Sequence, residues 1–348
     1  MISLRRLTLA LAVVGLAGCQ LPPQDSTQVG FRGVMIGQTS SPETVAALQA
    51  ANVAPAALPP AATDASRADS IYQNVQVLGH LSNAEFLRTM TAITNWVAPT
   101  TGPEAGCNYC HNAQNLASDE KYQKVVSRQM LRMTQEINGE WTGHVAQTGV
   151  TCYTCHRGGP VPPGTWYYTD VNQPLRHYLD RDDIRVQSQM PLRTEVSNRS
   201  SVNQAEYAYA LMINMSSGLG VNCTFCHNSR AFTNWDQSPP QRLTALRGLR
   251  MVRSLNMNHM VALQDVWPAA RHAADHLTDE GTLEPWHVNA EVSRGPMGDG
   301  AKLQCQTCHQ GLNKPLYAAA MAQAYPGLYP YVPPPVSEAT ADTAAAIE

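Results

Sequence analysis

Four short segments of this 348-residue sequence share the pattern Cys-x-x-Cys-His. They are Cys107–His111, Cys152–His156, Cys223–His227 and Cys305–His309, and together they contain eight of the nine cysteines. This pattern is typical of c-type haem attachment, in which each thiol adds to a haem vinyl group and the imidazole becomes one axial ligand of the iron. A zinc site or a redox dithiol uses similar residues, but neither explains four copies in which histidine always follows the second cysteine. We therefore predict four covalently bound haem c groups.

The predicted thioether residues are Cys107, Cys110, Cys152, Cys155, Cys223, Cys226, Cys305 and Cys308, and the predicted axial histidines are His111, His156, His227 and His309. If all eight sulfurs bind haem, no cysteine pair remains for a disulfide. The composition agrees with this prediction, because the chain contains only 4 Phe and 15% charged residues, so porphyrins can supply part of the apolar core. The net charge of −3 and the absence of a basic run argue against a nucleic-acid partner.

Each iron needs a second axial ligand if its haem only transfers electrons, because catalytic haems keep one position open. Met90 lies 21 residues before His111, inside a segment that reads as a helix. Met212 lies 15 residues before His227, in the equivalent place of a second such segment. This recurrence predicts that both thioethers bind iron. For the second motif, Met130 and Met133 share one helical segment, and their spacing does not choose between them.

The second ligand of the fourth haem is ambiguous from the residues alone. Met251, Met257, His259 and Met260 all follow the third motif, on or just after one predicted helix. The local rule favours Met251. His144, just before the second motif, is the alternative and would have to reach across the two halves of the chain. The remaining histidines receive no ligand role: His80, His177, His272, His276 and His287.

The first 18 residues read as an export signal, with Arg5 and Arg6 followed by an apolar run and small residues. Leu16–Cys19 resembles the lipobox of bacterial lipoproteins, so we expect cleavage before Cys19 and lipidation of its thiol. A plain secretory signal with an incidental cysteine and a segment retained as an anchor are the alternatives. No segment has the roughly 18–20 apolar residues of a spanning helix. The body of the protein is expected outside the cytoplasm.

We predict a mainly α protein with long loops, built from two pseudo-repeated halves that each contain two helix–loop–haem units. Helix starts are predicted at Ser82, at Asp119, at Asn203 and at Ser238, each from capping or first-turn acidic residues. The first of these helices is expected to run to Val97, before Pro99, and the second to about Asn138, with Gly139 just past its end. The predicted divisions are a signal (1–18), a lipidated arm (19–70), a first dihaem half (71–190), a second dihaem half (191–325) and a flexible tail (326–348).

The longer motifs resemble one family, the tetrahaem cytochrome c subunit of bacterial photosynthetic reaction centres, over roughly residues 20–330. The resemblance lies in Met90–Pro99 before the first motif, in His144–Gly158 around the second, and in Tyr209–Met212 followed by Asn222–Phe232 around the third. One departure is Thr100–Pro103, which lengthens the loop before Cys107. The resemblance implies Met ligands for the first three haems, at Met90, Met130 and Met212, and a second His ligand for the fourth, at His144 rather than Met251.

The same resemblance implies the function. The subunit would sit on the periplasmic face of the bacterial inner, photosynthetic membrane, bound to the L and M subunits of the reaction centre. It would pass electrons from a soluble c-type cytochrome or a high-potential iron–sulfur protein to the photo-oxidised bacteriochlorophyll special pair. It would be an electron-transfer subunit and not an enzyme. Its lipid at Cys19 would anchor it, and the four haems would form a near-linear wire.

Overall fold

The computed structural model describes residues 25–28, 37–167, 202–263 and 301–333, with single positions at 175, 178, 179 and 266. Two short strands, β1 (Asp25–Gln28) and β2 (Gly37–Ser40), pair antiparallel with Asp25 opposite Ser40. All other elements are helical. The described part of the chain is therefore mainly α with long connecting loops, as predicted.

The α-helices are α1 (Pro42–Ala51), α2 (Ala68–Ile71), α3 (Asn83–Val97), α4 (Tyr122–Glu140), α5 (Thr142–Val145), α6 (Cys152–His156), α7 (Val202–Leu219), α8 (Gln241–Leu255) and α9 (Cys305–His309). A π-turn, Asn256–Met260, continues α8. Shorter 3-10 turns are Gly106–Tyr109, Cys223–Phe225, Val261–Leu263, Pro315–Ala318, Met321–Ala324 and Pro326–Leu328. None of the described helices is long and apolar enough to cross a membrane.

Helix α3 forms where its sequence predicts. The Ser82 hydroxyl accepts a hydrogen bond from the Glu85 amide at 3.3 Å, which satisfies one of the free amides of the first turn. Pro99 disfavours helical backbone in the residue before it, and the helix stops at Val97 with extended Ala98. The first predicted helix is confirmed at both ends.

Helix α8 begins differently from its prediction. Ser238 does not cap it: its hydroxyl donates to the Asn234 carbonyl at 2.5 Å and accepts from Arg242 Nη1 at 2.6 Å. Pro240 takes the N-cap position instead. The serine is used by the preceding loop, so it is not available to the helix amides.

Helix α4 also differs, because it starts at Tyr122 rather than Asp119 and includes Gly139. Asp119 lies before the helix, where its carboxylate accepts from Arg128 Nη1 at 2.8 Å. A Cβ added at Gly139 would lie 2.4 Å from Pro330 Cγ, so this glycine permits a close approach and does not end the helix.

The chain forms two compact units, described separately. The first unit comprises residues 56–161 and, from residue 320 onward, the described residues 320–333. Its apolar core consists of Leu78, Leu81, Ala92, Trp96, Leu131, Tyr325 and Leu328. The Trp96 and Tyr325 rings meet edge to face, with centroids 4.9 Å apart. Helices α3 and α4 therefore pack around an aromatic centre.

Contacts within the first unit correct two predicted boundaries, the start of the tail and the end of the arm. The tail predicted to start at residue 326 contributes Leu328, which is 0% exposed. The arm predicted to end at residue 70 contributes Leu58, whose amide donates to the Tyr325 hydroxyl at 3.0 Å. Arg88 joins these segments by donating to the carbonyls of Leu58 and Ala324 at 2.9 and 2.7 Å. Both segments are rich in Pro and Ala, and such composition does not reveal the few residues that fill a core.

The second unit comprises described residues up to 55, from 162 to 263 and from 301 to 319. The predicted arm (19–70) is also corrected in this unit, because it contains α1, a regular helix capped by Ser41. Asn256, fully buried in the π-turn, accepts from the Leu303 amide at 2.7 Å and donates to the Leu303 carbonyl at 3.0 Å. This pair of bonds holds the segment that leads into α9.

Helices α7 and α9 approach closely at Gly218 and Gly220. The Gly311 amide donates to the Gly218 carbonyl at 2.8 Å. A Cβ on Gly218 would lie 2.9 Å from the Gln306 amide nitrogen, and one on Gly220 would lie 1.9 Å from the Gly311 carbonyl oxygen. Gly220 also has a φ of +64°, which side chains rarely tolerate.

We therefore expect Gly220→Ala to destabilise the protein by more than the roughly 1–2 kcal/mol that a left-handed backbone costs an L-residue, because a backbone clash is added. Gly106 is the matched control, since its φ is +65° and nothing lies within 4 Å of its added Cβ. Thermal unfolding of both variants checks this. A decrease in Tm for Gly220→Ala no larger than that for Gly106→Ala would contradict the close packing.

Candidate haem sites

The first and third Cys-x-x-Cys-His motifs adopt 3-10 turns. In the first motif, the Cys107 carbonyl accepts from the amides of Cys110 and His111 at 3.2 and 3.0 Å. In the third, the Cys223 carbonyl accepts from the corresponding amides, of Cys226 and His227, at 3.3 and 3.1 Å. The same tight turn thus places both cysteines and the histidine around one short loop in each motif.

The second and fourth motifs form the single-turn α-helices α6 and α9. Each is held by a threonine at its third position: the Thr151 amide donates to Thr154 Oγ1 at 3.0 Å, and the Gln304 amide donates to Thr307 Oγ1 at 3.0 Å. Each helix ends with a left-handed residue, Arg157 or Gln310. The four motifs therefore alternate between two local geometries along the chain.

The Nδ1 atom of every motif histidine lies within hydrogen-bond distance of a backbone carbonyl. The acceptor is five residues ahead in the 3-10 motifs, with Leu116 O 3.0 Å from His111 and Phe232 O 2.8 Å from His227. It is three residues ahead in the helical motifs: His156 to Gly159 O at 3.0 Å and His309 to Leu312 O at 2.8 Å. Because a carbonyl only accepts, Nδ1 carries the proton and Nε2 has the lone pair that binds metal.

Burial keeps two of these rings in the form that can bind iron. Desolvation lowers the pKa of His156 and of His227, and Arg242 further lowers the pKa of His227 by charge repulsion. A neutral imidazole is the ligand form, so these surroundings favour coordination over protonation.

Six of the eight motif cysteines are free thiols, and burial raises the pKa of four of them, Cys110, Cys152, Cys226 and Cys305. Burial raises the pKa of Cys152 to about 12 and that of Cys226 and Cys305 to about 11. Cys155 and Cys308, however, are disulfide-bonded, which differs from the expectation that no disulfide forms. A disulfide sulfur has no valence left for a vinyl carbon, so thioether formation at these two positions requires the reduced thiols.

The predicted methionine ligands lie on the helices that precede their motifs. Met90 on α3 and Met130 on α4 are both half-buried, and each carbonyl accepts from the threonine hydroxyl one turn later at 2.9 Å. Met133, the other candidate on α4, is 8% exposed in the core. Met212 on α7 is half-buried, whereas Met215 on the same helix is 8% exposed. In both cases the neighbouring methionine is the core residue, which supports Met130 and Met212 as the ligands.

The candidates for the fourth haem separate by burial. Met251 on α8 and His259 and Met260 on the π-turn are 8%, 6% and 5% exposed, whereas Met257 is 37% exposed. His144 lies on α5 and is half-buried. The burial of Met251 within α8 suits a core residue, and the partial exposure of His144 suits a side chain that meets a prosthetic group.

One charged side chain beside a motif shows that the site suits haem. All three guanidinium nitrogens of Arg157, directly after His156, are buried and have no hydrogen-bond partner. Burial lowers the pKa of this arginine, and leaving its N–H groups without acceptors is costly. A haem carries two propionates, and a carboxylate is the anion that a guanidinium pairs with most readily. The residues at this motif therefore fit the group that the Cys-x-x-Cys-His pattern implies.

Arg242, in the first turn of α8, lies close to the third motif. It is 7% exposed on α8, donates to the Asn234 carbonyl at 3.0 Å, and lies 4.0 Å from the centroid of the Trp235 ring. Its charge also acts on Cys226 and His227. The guanidinium is thus a buried positive charge beside this motif and not a solvated helix arginine.

One buried charge near the first motif, that of Lys124, is not predicted from the sequence. Several residues that are predicted lie outside the described part of the chain. Lys124, in the first turn of α4, is buried beside the first motif, 13 residues after His111. Arg242, the buried cation in the first turn of α8, lies at a similar spacing, 15 residues after His227. This similar spacing is the sequence signal that indicates Lys124. Cys19, the signal segment, His177, His272, His276 and His287 lie outside the described residues.

The match to a known protein family agrees with the haem-attachment motifs. The family model for the photosynthetic reaction centre cytochrome C subunit matches residues 20–174, 168–280 and 279–329. These ranges contain all four motifs and every described methionine candidate.

Curated relatives carry the same description. The photosynthetic reaction center cytochrome c subunit of Rubrivivax gelatinosus is 45% identical over 361 residues, covering 94% of this chain and 91% of the relative. That of Thermochromatium tepidum is 42% identical, covering 92% and 79%. That of Roseobacter denitrificans is 36% identical, covering 75% and 73%. The four haem-attachment motifs agree with the matching family model and with relatives that align over most of their length. This chain therefore belongs to the photosynthetic reaction centre cytochrome c subunit family, as an electron-transfer component with covalently bound haem c that associates with the reaction centre in the photosynthetic membrane.

Proposed function

We propose that this chain binds four haem c groups and passes electrons from a soluble periplasmic donor to the photo-oxidised bacteriochlorophyll special pair. The observation that carries the proposal is the common geometry of the motif histidines. In all four motifs, Nδ1 lies within hydrogen-bond distance of a backbone carbonyl, so the lone pair of the neutral ring is on Nε2, the atom that can coordinate iron. Four equivalent imidazoles beside four cysteine pairs are what four c-type haems require.

The second axial ligands are assigned as Met90, Met130, Met212 and His144. The bound iron supplies one-electron redox chemistry, and the protein residues set the potential at which it occurs. A thioether raises the potential, whereas a second imidazole lowers it. Three high-potential haems and one lower-potential haem can still carry electrons as a chain, since one uphill step between close cofactors is faster than one long jump.

The alternation of motif geometries supports two pseudo-repeated halves. A 3-10 motif followed by a helical motif occurs first before residue 160 and again after residue 220. Each 3-10 motif has a carbonyl acceptor five residues after its histidine, and each helical motif has one three residues after. We assign one dihaem half to each of these pairs, as expected if an ancestral two-haem unit was duplicated.

The assigned surroundings follow from the family and from the N-terminal sequence. The acceptor is the special pair held by the L and M subunits, on the periplasmic face of the photosynthetic membrane. The donor is a small c-type cytochrome or a high-potential iron–sulfur protein. Cleavage before Cys19 and acylation of that residue anchor the subunit, since two or more acyl chains hold a protein stably on a bilayer.

Intact-mass and peptide mass spectrometry of the subunit purified from photosynthetic membranes tests the haem content. We expect four added haem masses, each on the peptide of one Cys-x-x-Cys-His motif, and Cys155 and Cys308 both as thioethers. The same measurement reports the acyl groups on Cys19. Recovery of Cys155 or Cys308 as a disulfide, with haem missing from that motif, would contradict the proposal.

A further inference from the structure

The carbonyl oxygen of Leu116 is shared by two side chains. His111 Nδ1 lies 3.0 Å from it, and Lys124 Nζ lies 2.8 Å from it. Lys124 is in the first turn of α4, whereas His111 ends the first motif. The ammonium group is therefore linked to the ring of the proposed axial ligand through a single backbone oxygen.

Lys124 is fixed by bonds within the protein. It is 8% exposed, and its three N–H groups have three acceptors: the carbonyls of Leu116 and Ser118, at 2.8 and 2.9 Å, and Asp119 Oδ1 at 3.3 Å. Asp119 also accepts from Arg128 Nη1 at 2.8 Å, which lowers the pKa of its carboxyl group. The ammonium group of Lys124 is thus held in one place by three partners.

This placement is costly if the lysine serves only the fold. Lysines are almost never fully buried unless they are paired, and the carboxylate that pairs with Lys124, that of Asp119, is shared with a second cation, Arg128. A positive charge in the first turn of a helix also opposes the helix dipole. A neutral hydrogen-bond donor would hold the 116–118 loop at lower cost. The position of Lys124 therefore indicates a use for its charge.

We propose that Lys124 is a positioning residue that raises the redox potential of the haem attached at Cys107 and Cys110. The proposal rests on the proposed function, in which His111 is an axial ligand of that haem. Two effects act in the same direction. The ammonium group withdraws electron density from the Leu116 carbonyl, which makes it a weaker acceptor for the His111 proton and the imidazole a weaker donor to iron. Its charge also disfavours the extra positive charge of ferric iron.

The third motif has a related arrangement. His227 Nδ1 lies 2.8 Å from the Phe232 carbonyl, and Arg242 donates to the next two carbonyls, those of Thr233 and Asn234, at 3.5 and 3.0 Å. In both cases a buried cation from the first turn of the following helix holds the loop that supplies the histidine's acceptor. Lys124 bonds the acceptor carbonyl itself, so its link to the histidine is direct.

Redox titration of the full, haem-loaded protein tests this inference. In Lys124→Met we expect the midpoint of the haem at Cys107 and Cys110 to fall, with its oxidised-to-reduced ratio shifted on the order of tenfold at fixed potential, or ~59 mV for one electron. Lys124→Arg should restore most of the potential. Asp119→Asn, which removes the negative partner, should raise it. Arg132→Met, which removes an exposed cation from the same helix, should leave it unchanged.

The opposite signs expected for Lys124→Met and Asp119→Asn separate an electrostatic effect from loosened packing, which would not raise the midpoint. Unchanged midpoints in both variants with haem present, or an equal fall in the Met and Arg variants, would overturn the inference alone. If Lys124→Met fails to fold, Asp119→Asn still decides: a midpoint that does not rise overturns it. Mass analysis of the wild-type protein that shows no haem at Cys107 would contradict the proposed function and this inference together.

Discussion

Replacing Met212 by leucine is expected to lower the midpoint potential of the haem at Cys223 and Cys226 and to block reduction of the photo-oxidised pigment. Leucine fills a similar volume but has no sulfur to donate to iron. Axial-ligand identity sets haem potentials over a range of about 0.8 V, so this change should exceed any effect of neighbouring charges. Folding should be affected little, because Leu and Met exchange at a cost usually below about 1.5 kcal/mol.

Met215→Leu is the matched control for this experiment. Met215 lies one turn from the proposed ligand on α7 and is 8% exposed, so its replacement tests packing of the same helix without removing a ligand. We expect its haem potentials to equal those of the wild type. If Met212→Leu retained the wild-type potential, or if Met215→Leu lost it, the assignment of Met212 would be wrong.

His144→Met should raise the midpoint potential of the haem attached at Cys305 and Cys308. The reason is the exchange of a strong imidazole donor for a thioether, which stabilises ferrous iron. Because His144 lies before the second motif and the affected haem is bound by the fourth, the shift would appear far along the chain from the substitution. Site-resolved redox titration of the four haems measures it.

Met251→Leu distinguishes the two candidates for this ligand. If His144 coordinates the fourth iron, Met251→Leu leaves all four potentials in place and changes only packing within α8. If Met251 is the ligand, that variant lowers the fourth potential and His144→Met has no effect on it. A response confined to the haem at Cys152 and Cys155 would show that His144 serves its neighbouring motif.

Local signals in the sequence predict local structure well. Ser82 and Pro99 define both ends of α3, because a capping hydroxyl and a proline act within one turn of themselves. The signal at Ser238 misleads, since the loop residue Asn234 and the helix residue Arg242 both compete for its hydroxyl. Such competition depends on how the loop folds, and spacing alone does not show it.

Long-range packing limits the prediction of boundaries. Residues from 326 onward read as a tail by composition, yet Leu328 lies in the core of the first unit together with Tyr325, the residue just before that predicted boundary. Two apolar residues among prolines and alanines leave no periodic pattern, so nothing in the local sequence distinguishes them from a solvated segment. The same reason explains why Leu58, in the predicted arm, packs against that core.

The candidate haem sites also combine features that the sequence predicts with features that it does not. Cysteines and histidines of the motifs follow from their spacing, because attachment and ligation occur within five residues. The sharing of the Leu116 carbonyl by His111 and Lys124 joins two elements through a loop, and a single sequence gives no sign of that contact. The choice of His144 over Met251 came from a family resemblance, since the residues alone favoured the methionine.

Flash-induced absorbance change in isolated photosynthetic membranes measures whether the haems of this subunit reduce the photo-oxidised special pair. With the haems reduced beforehand, a single short flash oxidises the special pair, and we predict that the pigment is re-reduced while a c-type haem is oxidised in equal amount. Membranes with Met212→Leu should show the pigment oxidation without fast re-reduction. The proposed electron transfer would be contradicted if, in wild-type membranes, the pigment were oxidised while every c-type haem of this subunit stayed reduced.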